Sequence, residues 1–506
     1  MSGGVANPPR HRRPGAQAGA RVRARARAST PALALILLLA GCTLGPTFTR
    51  PAAPAASAYL PPAEQAETPP AKGTIVMQPG APVLTQWWRS FDSPALDRIL
   101  AQALFGSQTL AGARQRLIQA RETAVANLEQ PAAELDLSAT ISNHPLTVAQ
   151  FQSQKGNFNL YAIGAQVSYS PDIFGAVRRT QENLGALTDY ARFEYEAAQL
   201  SVAGNAAEGA IAAASFTAQA ATAARIAAID RQRLDLARAF VQVGKWPRAQ
   251  LAGYEADLAR SEAAILPLRQ QEEASQHVLA ALCGVPPALW TLPVPRLSDL
   301  AAPAHLPLTL PSALLRQRPD IQAAEALAHA ASASVGVATA GLYPSLTISA
   351  STLLSLGGDI AEPLFNWQSL HAAKRASEAG LQAALADYRR TVLEAFAQVA
   401  TMLQAIQYDE AMLGGLDRQQ QTAADHLALI RTEHDIGRLA DMPLLEAERA
   451  SLSLDLDQIT AKAALDHDIV ELDLAMGGGV LPAGGAAGIP PASTASSLQP
   501  APETNR

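Results

Sequence analysis

Cysteine is almost missing: the 506 residues hold two, Cys42 and Cys283. With Cys42 claimed by the motif described below, Cys283 is left alone, and no disulfide framework can form within one chain. Its apolar surroundings at 278–285 make it a small, core-filling hydrophobe. Aromatic residues are only 5% of the chain while alanine abounds, which suits long, closely packed helices better than a compact α/β enzyme. No phosphate-binding glycine loop with Lys-Ser/Thr occurs, nor His-Glu-x-x-His, nor Gly-x-Ser-x-Gly. The nine histidines contain no pair three or four residues apart. Glu433-His434-Asp435 puts three adjacent side chains in different directions around a helix, the mark of a polar tip. The expectation is a protein without catalysis, metal or cofactor.

A spanning helix is missing too. The apolar run at 32–40 is roughly half of the ~20 residues needed to cross a bilayer. It follows a basic stretch with seven arginines and ends in Leu39-Ala40-Gly41-Cys42. Basic region, short hydrophobic core and small residues before a cysteine make a bacterial lipoprotein signal. Cleavage leaves a mature chain starting at Cys42, with diacylglycerol on its thiol and an N-acyl chain. Removing the seven arginines leaves 32 basic against 45 acidic side chains, a net of −13. That balance argues against nucleic acid.

Residues 43–84 are rich in Pro and Ala and lack periodicity, so they read as extended. From Ala95 the apolar spacing is helical: Leu110, Ala113, Leu117, Ala120, Ala124 and Leu128 recur at three and four. After Pro131 the period falls to two. Leu135, Leu137, Ala139 and Ile141 alternate with Asp136, Ser138, Thr140 and Ser142, and the pattern returns over Tyr161–Tyr169. Such strands meet an apolar medium on one face and water on the other. Tyr161 and Tyr169 on the apolar face lie roughly 20 Å apart along a membrane normal for a strand tilted by about 40°, close to the spacing of aromatic girdles. An ordinary hairpin on a soluble core fits the alternation equally well.

Helical periodicity resumes after Gly175, breaks at Gly244-Lys245-Trp246-Pro247 and runs to about Leu282. A Pro-rich connector leads to a second cycle: helix from Arg318, an alternating strand after Pro344, Pro363, then helix to Met476. Leu234, Leu236, Val243, Gly244 and Lys245 match Leu427, Leu429, Ile436, Gly437 and Arg438 at an offset of 193, as Tyr195 matches Tyr388 and Gly284 matches Gly477. Duplication is the economical explanation. The expected domains are a signal at 1–41, an extended segment at 42–92, a first repeat at 93–305 (β-hairpin 134–171), a second at 306–479 (β-hairpin 345–365) and a disordered tail at 480–506. Four amphipathic strands cannot close a barrel, and open edges in hydrocarbon cost several kcal/mol per unpaired group, so several copies must combine.

The chain resembles the TolC-like outer membrane factors of tripartite efflux systems, the NodT/OprM-like efflux lipoproteins. The resemblance runs from Cys42 to Gly479. It rests on Cys42-Thr43-Leu44-Gly45-Pro46 with Arg50-Pro51, Trp87-Trp88 with Phe91, and Ser170-Pro171-Asp172-Ile173-Phe174-Gly175. Further matches are Leu314-Leu315-Arg316-Gln317-Arg318-Pro319-Asp320-Ile321 with Ala324-Glu325, Tyr343-Pro344-Ser345, Pro363-Leu364-Phe365 and Gly477-Gly478-Gly479. It implies a mainly α fold with a small β part: a homotrimer with a 12-stranded barrel in the outer membrane and a helical tunnel in the periplasm. The implied partners are a periplasmic adaptor, an inner-membrane pump and outer-membrane lipid. The implied function is passive conduction of drugs or other small solutes.

Carried onto this chain, the two helix breaks become periplasmic tips. Gly244, Lys245 and Arg248 on one, and Gly437 and Arg438 on the other, would meet the adaptor. Asp441, Met442 and Glu446 would line the aperture, with Arg449 on the face of Glu446 and able to tie it within or between chains. Three-fold symmetry turns each acid into a ring that favours cations. The second β-hairpin departs from the pattern: 18 residues separate Pro344 from Pro363, against 39 between Pro131 and Pro171. A membrane strand needs about 9–11, so this hairpin barely spans. Pro443, beside the expected aperture, stiffens the start of its helix. The competing reading is a lipid-anchored structural or adaptor-like helical protein whose hairpins stay in the periplasm.

Overall fold

Proline and left-handed glycine set most of the element ends. The computed structural model describes residues 3–4, 43–52, 58–61, 75–128, 133–145, 157–351, 355–361 and 366–478. Cys42, the expected tail and the signal apart from 3–4 lie outside these residues. The helices are α1 (Pro94–Gly106), α2 (Gln108–Leu128), α3 (Ala176–Gln242), α4 (Arg248–Leu282), α5 (Pro311–Gln317), α6 (Pro319–Ala340), α7 (Trp367–Asp435) and α8 (Asp441–Ala475). The strands are β1 (Val76–Pro79), β2 (Ala133–Pro145), β3 (Asn157–Tyr169), β4 (His305–Leu308), β5 (Ser345–Ser351) and β6 (Ser355–Ala361). Both bounds of α4, shifted by 193, are those of α8, so the duplication holds at the level of whole helices.

The chain divides into two compact units. One holds Thr123–Ala186 and Ala328–Ala384 with the residues before Arg50. Its sheet runs β2-β3-β5-β6, antiparallel throughout. Register sorts residues by polarity: Leu135, Val167, Ala350 and Leu356 form one row across all four strands, and Asp136, Gln166, Ser351 and Ser355 the next. Alternate rows therefore face opposite sides, one apolar and one polar. Leu137 is 77% and Ile163 86% exposed, so around them the apolar face has no cover among the described residues. β2 and β3 have 13 residues each and β5 and β6 seven, in keeping with the short second hairpin read from the prolines. At about 3.3 Å per residue these are strands of about 43 and 23 Å.

Asp172 closes this unit's strand-to-helix junction, accepting from the backbone N–H groups of Val177 and Arg178, both at 3.1 Å. A carboxylate there also complements the helix dipole. The N-terminal segment lies across the junction. Arg179 donates to the carbonyls of Leu44 and Gly45, and Phe48 stacks on His329 at 4.6 Å. Gly45, at φ +93°, would bring a Cβ to 2.5 Å from Gly336 Cα. Gly45→Ala is thus expected to unseat residues 43–49, read as faster proteolysis of that segment while the circular dichroism of the helices stays unchanged.

The second unit contains Arg50–Glu122, Leu187–Leu327 and Leu385–Arg506. Its core gathers Trp87, Trp88 and Phe91 with Leu96, Ile99, Leu279, Leu314, Ile321, Val399, Ile406 and Ile469. Cys283 is fully buried, its thiol pushed up to about 11 by burial, and serves as the small hydrophobe its context suggests. Two short pieces escape a reading based on period. Val76–Pro79 pairs in parallel with His305–Leu308, strands too brief for alternation to register. The helix expected from Arg318 begins at Pro319 as α6, and a short unforeseen helix, α5, precedes it, the two separated by Arg318 in an extended conformation (ψ 121°).

Candidate functional site

The two helix breaks fold into the same turn. Gly244 and Gly437 take left-handed φ of +74° and +71°. Lys245 N–H donates to Phe240 O as Arg438 N–H donates to Glu433 O, the Schellman closure that a non-glycine residue would strain. Gly244, Lys245, Arg248, Gly437 and Arg438 are all exposed. Beyond the turn the two tips diverge. At the first, Trp246 packs edge-on against Phe240 at 4.8 Å and stacks on Tyr254 at 5.8 Å, while Lys245 lies over the Phe240 ring. At the second, His434 bridges to Asp441 at 2.8 Å, tying the end of α7 to the start of α8. That hydrogen bond, with a weaker one to Asp435, raises the imidazole above its ordinary pKa.

The expected aperture residues separate. Asp441 and Glu446 are exposed on α8, but Met442 is buried against its own chain. Within the chain Arg449 pairs not with Glu446, as their spacing allowed, but with another helix. Its Nε donates at 2.8 Å to Oδ1 of Asp230, a fully buried carboxylate on α3. A buried acid draws a nearby guanidinium more strongly than an exposed one, because water screens it less. The same Oδ1 accepts from Arg233 at 2.7 Å. Arg233 also sits 3.7 Å from Asp257 and 5.0 Å from the centre of the Tyr254 ring. Asp230, Arg233, Tyr254 and Trp246 were not among the residues singled out from the sequence. The available signal was a charged pair at i and i+3 in an alanine-rich helix, and a tryptophan at a turn.

α8 is further held along α7 by Arg431 to Glu448 at 2.9 Å and by Gln420 to Asp455 at 2.7 Å. Its far end meets Arg318, which is nine-tenths buried. Arg318 donates to Ala475 O at 2.7 Å, to Asp320 at 2.7 and 3.0 Å, and to Gln398 at 2.9 Å. The Leu-Arg-Gln-Arg-Pro-Asp-Ile motif is thus a structural knot, with Arg318 capping the last carbonyl of α8.

The chain thus combines a duplicated helical hairpin with four antiparallel strands sorted into apolar and polar rows. Residues 310–478 match the family model described as outer membrane efflux protein. The chain is similar to the pyoverdine export outer membrane protein OpmQ of Pseudomonas putida, 27% identical over 78% of this chain and 88% of the relative. It is also similar to nodulation protein T of Rhizobium leguminosarum bv. viciae, 26% identical over 88% and 92%. Among solved structures it resembles the outer-membrane channel OprN, at 25% identity with a TM-score of 0.75 over 87% of this chain and 99% of that one. The Campylobacter jejuni CmeC channel has the same fold at 19% identity, with a TM-score of 0.74 over 87% and 96%. Residues 310–478 thus carry the outer membrane efflux protein domain, and over most of its length the chain is similar to outer-membrane efflux channels.

Proposed function

We propose that this chain is the exit duct of a tripartite efflux pump, a homotrimer that passively conducts drugs or other small solutes outward. The observation that carries the reading is the four-stranded sheet with segregated apolar and polar rows and unpaired outer edges on β2 and β6 among the described residues. Three copies supply twelve strands, put the apolar rows toward lipid and satisfy the edges. Cys42 carries the acyl chains that anchor the mature N-terminus. Gly244, Lys245, Arg248, Gly437 and Arg438 meet a periplasmic adaptor, which links the duct to an inner-membrane pump. Asp441 and Glu446 form acidic rings at the aperture. No step makes or breaks a bond, and the pump supplies the energy.

Conductance of the purified protein in planar bilayers, with Glu446→Ala beside wild type, tests this. Small cation-favouring steps whose selectivity falls in the variant are expected, since three carboxylates leave the narrowest ring. Trimers that conduct in neither form would overturn the duct and favour the lipid-anchored structural reading, for which the seven-residue strands β5 and β6 speak.

A further inference from the structure

Asp230 is placed where two helical hairpins share one buried carboxylate. Its Oδ1 takes Arg449 from α8 and Arg233 from its own helix, while Oδ2 has no partner among the described residues. Arg233 is itself only partly satisfied: Nε is buried and unpartnered among the described residues, and Asp257 waits 3.7 Å away as a second acceptor. Arg233 also lies over the face of Tyr254, 5.0 Å from its centre, and Tyr254 in turn stacks on Trp246 with the ring planes 11° apart. Trp246 is wedged between Tyr254 and Phe240 in the turn of the first tip. An unbroken run of contacts therefore joins that tip to the helix bearing Glu446. At its centre Arg233 Nη1 lies between two carboxylates, 2.7 Å from Asp230 and 3.7 Å from Asp257. Coupling between sites requires an element of this kind that can take two arrangements.

We propose that Trp246, Tyr254 and Arg233 are positioning residues that couple the first hairpin tip to Arg449, so that displacing Trp246 loosens α8 and opens the aperture. This coupling rests on the duct reading. A partner that shifts the indole moves the Tyr254 face and releases Arg233. The Asp230 carboxylate then loses the contact that orients it for Arg449. Removing one partner of a buried charge also costs the cluster stability, because the carboxylate is left less fully compensated. The second tip has no equivalent among the described residues, since its closure is the His434–Asp441 pair rather than an aromatic stack. The two tips are then unequal: contact at the first is transmitted to the aperture helix by this route.

The test is single-channel recording of purified trimers carrying Trp246→Ala, Trp246→Phe, Arg449→Ala and the Trp246→Ala/Arg449→Ala pair. Arg449→Ala is expected to raise the open-to-closed ratio by about fivefold, a typical coupling magnitude. Trp246→Ala should do the same, Trp246→Phe should stay at wild type, and the double variant should match Arg449→Ala alone. Equality of the double and single variants is the signature of a shared route, which mere loosening of the fold would not produce. If the two effects multiply, or if Trp246→Ala stays closed while Arg449→Ala opens, the coupling is refuted and the duct survives. Silence in wild type and every variant refutes both. Should Trp246→Ala not assemble on native gels, Tyr254→Leu breaks the same run and Tyr254→Phe preserves it.

Discussion

Replacing Arg318 with methionine is expected to cost about 3–5 kcal/mol, the range for breaking a buried ionic cluster by removing one partner. The side chain is buried and makes its hydrogen bonds to Asp320, Gln398 and the carbonyl of Ala475. Methionine fills the volume but leaves that carbonyl, at the end of α8, without its cap. Asp320 is partly exposed and recovers some hydration, which keeps the expected loss toward the lower end. Arg318→Lys is expected to be nearly as harmful, because an ammonium cannot offer the planar fork that reaches three acceptors at once. Urea unfolding followed by circular dichroism reads both losses, and a methionine variant within 1 kcal/mol of wild type (about the worth of one ordinary hydrogen bond) would refute the knot.

Alkaline pH is expected to weaken the second unit more than acid does. Glu208 of α3 and Glu471 of α8 share a hydrogen bond beside Arg318 and Asp320 in a cavity of about 380 Å³, and burial lifts Glu208 to about 8. Asp473 is held near 7 by burial, and Asp466 near 6 despite Lys462 at 2.9 Å. Each group binds its proton more tightly folded than unfolded. The stability this contributes is complete below the unfolded pKa, near 4, and is lost as pH rises through the folded value. For Asp473 alone the difference amounts to about 4 kcal/mol. Glu208 contributes less than its distance from an unfolded glutamate would suggest, because water reaches part of the side chain. The apparent melting temperature should fall steadily between about pH 5 and about pH 9, and Asp473→Asn should flatten the slope. A slope identical in wild type and variant would show that Asp473 stays ionised in the fold.

Much of this molecule is legible in one dimension. Period-two alternation marks the strands of the first hairpin, the prolines mark the short second one, and the recurrence of Gly244 as Gly437 marks two equivalent turns. These are local signals, each carried by neighbours within a few residues, and backbone geometry enforces them. Alternation alone left open whether the hairpins faced lipid. The register adds that apolar residues of all four strands fall into common rows, with Leu137 and Ile163 exposed on that face.

Choices of partner across long separations were decided only by the tertiary structure. Helical spacing put Arg449 on the face of Glu446, yet its hydrogen bond goes to Asp230, 219 residues away. Spacing ranks neighbours on one helix but does not say which neighbour lies in low dielectric, and burial sets the strength of an ion pair. Met442 was likewise expected at the aperture and is buried within the chain. By itself the sequence determined the duplicated helical plan, the strand faces and the turns, because these follow from local sterics and period. Only folding decided that Arg318 caps α8, that Trp246 braces Tyr254 and that Asp230 receives two arginines. Each of those depends on which surfaces exclude water together.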